Sequence, residues 1–175
     1  MEFLTDRLPN LDLAEKRASA LLANLGIDEI FDMPVDPEFI AAHLGIAVHH
    51  LDFTKYGFNG KPFGDDRSGL LVRNTPVIYV NANHSETRQR FTLAHEVGHF
   101  LLHDDPTDIY WRDFNSAMGR DPKEMEANRF GASLLMPRGP FISVFNAFGV
   151  EKTASFFGVS LAAAKNRLNS IRSTP

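Results

Sequence analysis

The run Phe91-Thr92-Leu93-Ala94-His95-Glu96-Val97-Gly98-His99-Phe100-Leu101-Leu102 carries two histidines four residues apart with a glutamate between them, the pattern H-E-x-x-H. On an α-helix, at about 100° per residue, His95 and His99 fall about 40° apart and one turn along the axis, so both imidazoles can meet one metal ion. Glu96 falls at the flank of that face, placed to take a proton from a water on the ion without ligating it. Leu93, Ala94, Val97, Phe100 and Leu101 form the opposite arc, an apolar back that anchors the helix in a core. The chemistry of such a set is metal-assisted hydrolysis. Zinc brings the pKa of a bound water to about 7, and Glu96 accepts the proton as the water attacks a carbonyl and returns it to the departing amine. Taken alone, the motif also arises on exposed amphipathic helices as a solvated polar stripe, so a third ligand decides between the readings.

Two regions offer that ligand. His103 lies about 12 Å along the helix axis from His95, too far to share the ion, and is assigned the role of charge partner to the helix C-terminus. The other region runs from Asp121 to Pro137. Asp121 as N-cap, Pro122 at the first helical position and Glu124 behind them form a capping arrangement, which accounts for Glu124 without a metal. Glu126 shares its face with Phe130, Ser133 and Leu134, so its carboxylate is carried toward the interior, where an unpaired charge costs on the order of several kcal/mol. Zinc would offset that cost; the alternative is an ion pair with Arg88 or Arg90. The ligand set expected from the sequence is therefore His95, His99 and Glu126, with Glu96 as the catalytic base.

Together with Tyr79-Val80-Asn81, Arg88-Gln89-Arg90, Glu126-Ala127-Asn128-Arg129-Phe130 and Leu134-Leu135-Met136-Pro137, the motif resembles the ImmA/IrrE family of metallopeptidases, firmly over residues 68–137 and weakly in the flanking helices. The resemblance implies an α+β, zincin-like fold: a short antiparallel sheet, the H-E-x-x-H helix, a second ligand helix and C-terminal helices. It makes the glutamate before Ala-Asn, here Glu126, the third ligand of one Zn2+ per chain. Manganese, iron or cobalt would also suit histidine and carboxylate donors. It implies a protein substrate, a helix-turn-helix repressor whose cleavage relieves repression of mobile-element, prophage or damage-response genes. Many relatives add an N-terminal DNA-binding domain or a C-terminal sensor domain, and this chain is expected to carry neither.

The elements that must position these residues are legible from periodicity and caps. Apolar spacing predicts a helix from Leu11 to Leu25 ending at Gly26, and Asp36 with Pro37 opens a second that stops at Gly45. Ile46 to Phe53 reads as a strand and Lys55 to Asp66 as a loop. Gly69–Val72 and Val77–Val80 form an antiparallel hairpin. Helices follow over 85–102, 122–135, 141–148, 151–157 and 161–171. We expect one domain over 1–175, with a catalytic core at 53–137 and a helical extension at 140–175. Val77–Asn81 is either an edge strand for an extended substrate or an ordinary paired strand. Asp104 to Arg120, with Tyr110, Trp111 and Phe114, is a long connection suited to a lid or to core cover. Tyr79, His84, Tyr110 and Arg120 are candidate oxyanion donors, and nothing in one sequence chooses among them.

The 175 residues carry a net charge of −4 and no cysteine, which excludes a disulfide framework and leaves any metal site to His, Asp and Glu. No apolar run approaches the roughly 20 residues of a membrane helix, and no signal-like start follows Met1, so the cytoplasm is the expected compartment. The tail has a helix, glycine turn, helix pattern over 153–168, which supports a rival class: a non-catalytic regulatory or toxin–antitoxin-type module binding a repressor or DNA. Only Lys165, Arg167 and Arg172 supply cations there, which weighs against a nucleic-acid partner and for helices packed on the core.

Overall fold

The computed structural model describes residues 7–27, 30–104, 109–113 and 121–173. Helix α1, Leu11–Asn24, starts where the Asn10 side chain accepts from the Leu13 amide, and Gly26 past its end is left-handed (φ 68°). Helix α2, Pro37–His43, is capped by Asp36, whose carboxylate accepts from the Glu38 amide. Strand β1, Ala47–Leu51, follows. The stretch expected as a loop contains a small hairpin, β2 at Gly57–Phe58 and β3 at Lys61–Pro62. Asn59 (φ 52°) and Gly60 (φ 73°) supply the two positive φ angles of its tight turn, so the Asn-Gly pair was a readable signal.

Strands β4, Arg67–Val72, and β5, Val77–Asn81, form the expected antiparallel hairpin, with Gly69 opposite Val80 and Val72 opposite Val77. The sheet order is β1-β5-β4-β6, where β6 is Ile109–Asp113. One expectation is corrected here and one open choice decided. The sheet is mixed, because β1 runs parallel to β5 with Ala47 opposite Val77. Strand β5 is not an edge: both of its sides are hydrogen-bonded, so no substrate strand can add to Val77–Asn81. Strand β6 lies inside the segment expected as a loop; Tyr110 and Trp111 are described in backbone only, and Phe114 and Arg120 fall outside the described residues.

Helix α3, Glu86–Leu102, carries the H-E-x-x-H motif, and α4, Pro122–Leu135, is capped by Asp121, whose carboxylate accepts from the Lys123 amide. Helix α5, Arg138–Phe157, is broken at Gly149 (φ 79°, ψ 171°), which yields the two shorter helices read from the sequence. Helix α6, Leu161–Ser173, ends the described chain. Among the described residues no helix is long and apolar enough to cross a membrane.

One apolar cluster joins these elements: Leu71, Ile78 and Val80 from the sheet, Leu93, Ala94 and Val97 from α3, Phe130 and Leu134 from α4, and Phe141, Phe157, Ala164 and Leu168 behind them. Helix α6 is thus part of the core, as the packing alternative for the tail supposed. Its Arg167 is turned inward, only 2% exposed, donating from Nε to the Met136 carbonyl (3.0 Å) and from Nη2 to Glu15 of α1 (2.8 Å). The other Glu15 oxygen accepts from Arg129 of α4 at 3.1 Å. Burial alone would raise the Glu15 pKa, but the hydrogen bonds from Arg167 and Arg129 outweigh it and hold the carboxyl below its ordinary 4.5.

A depressed folded-state pKa stabilises above the unfolded value and ceases to do so as pH falls through the folded one. Glu15→Gln, which removes the charge facing the buried Arg167 guanidinium, should cost about 3 kcal/mol at neutral pH. Chemical denaturation at several pH values checks this: the gap between wild type and variant should close below pH 4.5, the ordinary value for this group.

Candidate metal centre

Helices α3 and α4 cross in near contact, because glycine stands on each at the crossing. A Cβ added at Gly98 would lie 3.1 Å from the Phe130 ring and 3.2 Å from the Ala127 backbone; one at Gly131 would lie 3.1 Å from the His95 amide nitrogen. Glu124, Ala127, Asn128 and Gly131 follow the i, i+3, i+4, i+7 spacing of the α4 stripe that faces α3. The small members let the backbones meet, and the polar ones are delivered to the histidines.

His95 and His99 are almost wholly buried, and their Nε2 atoms lie 2.9 Å apart. Glu124 completes the group: its Oε1 is 2.9 Å from His99 Nε2 and its Oε2 3.3 Å from His95 Nε2. Burial would raise the Glu124 pKa, but hydrogen bonding to His95 and His99 prevails and holds the carboxyl well below the usual range, so it stands ionised. Two imidazole nitrogens and one carboxylate oxygen within 4.8 Å of one another suit a divalent cation with one coordination position left open. The opposite ring nitrogen of His95, Nδ1, lies 2.9 Å from Asn128 Oδ1.

The structure does not bring Glu126 to this point. Glu124 and Glu126 stand about 200° apart around α4, so they cannot both face His95 and His99. Glu126 is buried, as its helical face required, but its face meets α1 and the end of α3. Its Oε1 accepts from the Asn10 amide (2.7 Å) and from Arg7 (3.0 Å), and its Oε2 lies 2.9 Å from His103 Nε2. The ion pair weighed against the metal therefore exists with a different arginine. Arg88 donates to Ser68 and Arg90 to the carbonyls of Val35 and Gly158. Asp121 caps α4 as expected, while Glu124, assigned to that cap, serves the histidines instead.

His103 is also corrected. It is buried, with Nδ1 3.0 Å from His99 Nδ1, and burial is the main cause of its lowered pKa. The cation at the α3 C-terminus is Arg73, from the turn between β4 and β5, which donates to the carbonyls of His99, Phe100 and His103. Glu96 is fully buried on the side of α3 that meets β4. A Cβ at Gly69 of β4 would fall 2.5 Å from Thr92 Cγ2 and 3.1 Å from Glu96 Oε1, so Thr92 leaves no room for a side chain there and the strand passes close by the Glu96 carboxylate. Tyr79 packs among Phe58, Phe63 and His49, and the His84 carbonyl accepts from Gln89. A groove of about 720 Å³ runs between α1, α3, α4 and α6, lined by Arg88, Phe91, Met125, Asn128 and Asn166 among others; it meets the centre only through Asn128, behind the His95 ring.

The model of the IrrE N-terminal-like domain, Peptidase_M78, matches residues 41–169. The chain belongs to this family. The match takes in both ligand-bearing helices, α5 and most of α6, and begins within α2. Among solved structures, a Mycobacterium tuberculosis transcriptional regulator shares the fold with a TM-score of 0.57 at 15% identity, over 90% of this chain. The chain spans 46% of that regulator's length. No curated protein matches the sequence.

Two glycine substitutions separate the metal centre from the Glu96 side. Gly131→Val drives α4 from the His95 backbone and should weaken metal uptake as well as costing about 1–3 kcal/mol. Gly69→Ala should cost a similar amount but leave uptake near wild type, since it displaces Thr92 and Glu96 alone. Isothermal titration with zinc, alongside thermal melts of the metal-free proteins, distinguishes the two patterns.

Proposed function

We propose that this chain is a metal-dependent endopeptidase that holds one divalent cation, zinc first among candidates, between His95, His99 and Glu124, and uses Glu96 as general base. The observation that carries this reading is the convergence of His95 Nε2, His99 Nε2 and a Glu124 carboxylate oxygen from two helices. Membership of the Peptidase_M78 family supports it independently.

When bound, the cation supplies Lewis acidity that acidifies a water and polarises a carbonyl. The chain's own residues do the rest. Glu124, ionised and held by α4, balances the charge of the centre, and Asn128 fixes the His95 ring. Glu96, enclosed by α3 and β4, receives the proton of the attacking water on its carboxylate and hands it to the leaving amine nitrogen. Burial keeps bulk water from competing for that proton and strengthens each charge interaction in the site.

The substrate class we propose is a helix-turn-helix repressor, which accords with the family and with the fold shared with a transcriptional regulator.

Three variants test this. Glu124→Ala should lose most metal by elemental analysis after dialysis. Glu96→Gln should retain the metal and the fold yet cleave a repressor encoded beside the gene at least about 10²–10⁴-fold more slowly. Asp121→Ala should lose only about 1 kcal/mol of stability and keep both properties. Cleavage by Glu96→Gln at the wild-type rate would remove Glu96 from the mechanism, and a metal-free variant that still relieves repression would support a binding module.

A further inference from the structure

Beyond the ligand set, two buried polar side chains at the centre, His103 and Glu126, have no part in the chemistry above. For His95 and His99 to offer Nε2 lone pairs to one cation, each neutral ring must carry its proton on Nδ1 and needs an acceptor there. Asn128 Oδ1 provides it for His95 at 2.9 Å. For His99 the facing atom is another ring nitrogen, His103 Nδ1, at 3.0 Å, which accepts only if the proton of His103 sits on its far side. That far side, Nε2, lies 2.9 Å from Glu126 Oε2, a carboxylate that only accepts. The proton positions then have one consistent order: His99 Nδ1 donates to His103 Nδ1, and His103 Nε2 donates to Glu126. Glu126 is itself pinned by the Asn10 amide at 2.7 Å and by Arg7.

We propose that His103 and Glu126 are a positioning relay that sets the tautomer and ring orientation of His99 for the cation, without touching cation or substrate. The inference rests on the metal reading given above. The relay has a defined polarity, since Glu126 can only receive and the cation requires His99 Nε2 bare. It also gives the buried His103, whose two ring nitrogens face His99 and Glu126, a role at the centre.

The experiment compares wild type with His103→Leu, which removes the acceptor, and His103→Asn, whose side-chain oxygen stands close to the place of the imidazole Nδ1. Zinc and cobalt affinities are measured by chelator competition on the full chain, with the visible spectrum of the cobalt form and melting of the metal-free protein. His103→Leu should weaken binding about 10–100-fold and alter the cobalt spectrum. His103→Asn should recover most of both, while the metal-free forms of the two variants melt alike. Glu126→Met should weaken binding too, Glu126→Gln should do so less, and Glu126→Met combined with His103→Leu should be no weaker than His103→Leu alone, because the two act in series. If His103→Leu does not fold, the Glu126→Met and Glu126→Gln pair makes the same comparison one link further out. Wild-type affinity and spectrum in His103→Leu, or losses that add in the double variant, would overturn the relay while leaving the metal site standing. A wild-type chain that takes up no cation would overturn both.

Discussion

The near contact of α3 and α4 is the constraint on which the rest of the site depends. Gly98 and Gly131 bring two helix backbones to a separation at which a single methyl group would intrude, and a carboxylate on α4 reaches imidazoles on α3 only at that separation. The proposed metal centre is therefore a property of helix packing before it is a property of ligands. Side chains large enough to fill the crossing would strengthen an ordinary helix pair and separate the donors of this one.

Much of this was legible in the sequence. Asp36 and Asp121 mark helix starts, Gly26 and Gly45 mark helix ends, and the four-residue histidine spacing places Nε2 atoms together. The choice between Glu124 and Glu126 was harder. An apolar helical face identifies what is buried but not which neighbour buries it, and Glu126 lies on an α4 face that meets α1. The missed signal was the small-residue stripe, Ala127 and Gly131, in register with Glu124 and Asn128. Small residues at that spacing mark the face of closest helix approach. Strand pairing was hidden for another reason: that β1 runs beside β5 depends on contacts distant in sequence, which local alternation cannot encode.

Buried charge is treated alike in two places. Arg167 and Arg129 meet on Glu15, and Glu126 collects Arg7, the Asn10 amide and His103; each cluster ties the start of the chain, at or before α1, to α4, more than a hundred residues away. Such clusters contribute little net free energy beside an apolar replacement, but they accept very few alternative packings, so they specify which helices lie together. In this chain that selectivity fixes α1 against α4 and α6, and with it the wall of the groove that runs between them.

Arg73 reaches from the β4–β5 turn to the last carbonyls of α3, and His99 stands in that last turn. Helix ends ordinarily open and close many times for each global unfolding, and amide protons there exchange quickly. A ligand on a fraying turn would be absent from the site for part of that time. With its terminal carbonyls occupied by a guanidinium from the β4–β5 turn, the final turn of α3 is held against fraying. The residence of His99 at the proposed centre is thereby coupled to the β4–β5 turn as well as to its own helix.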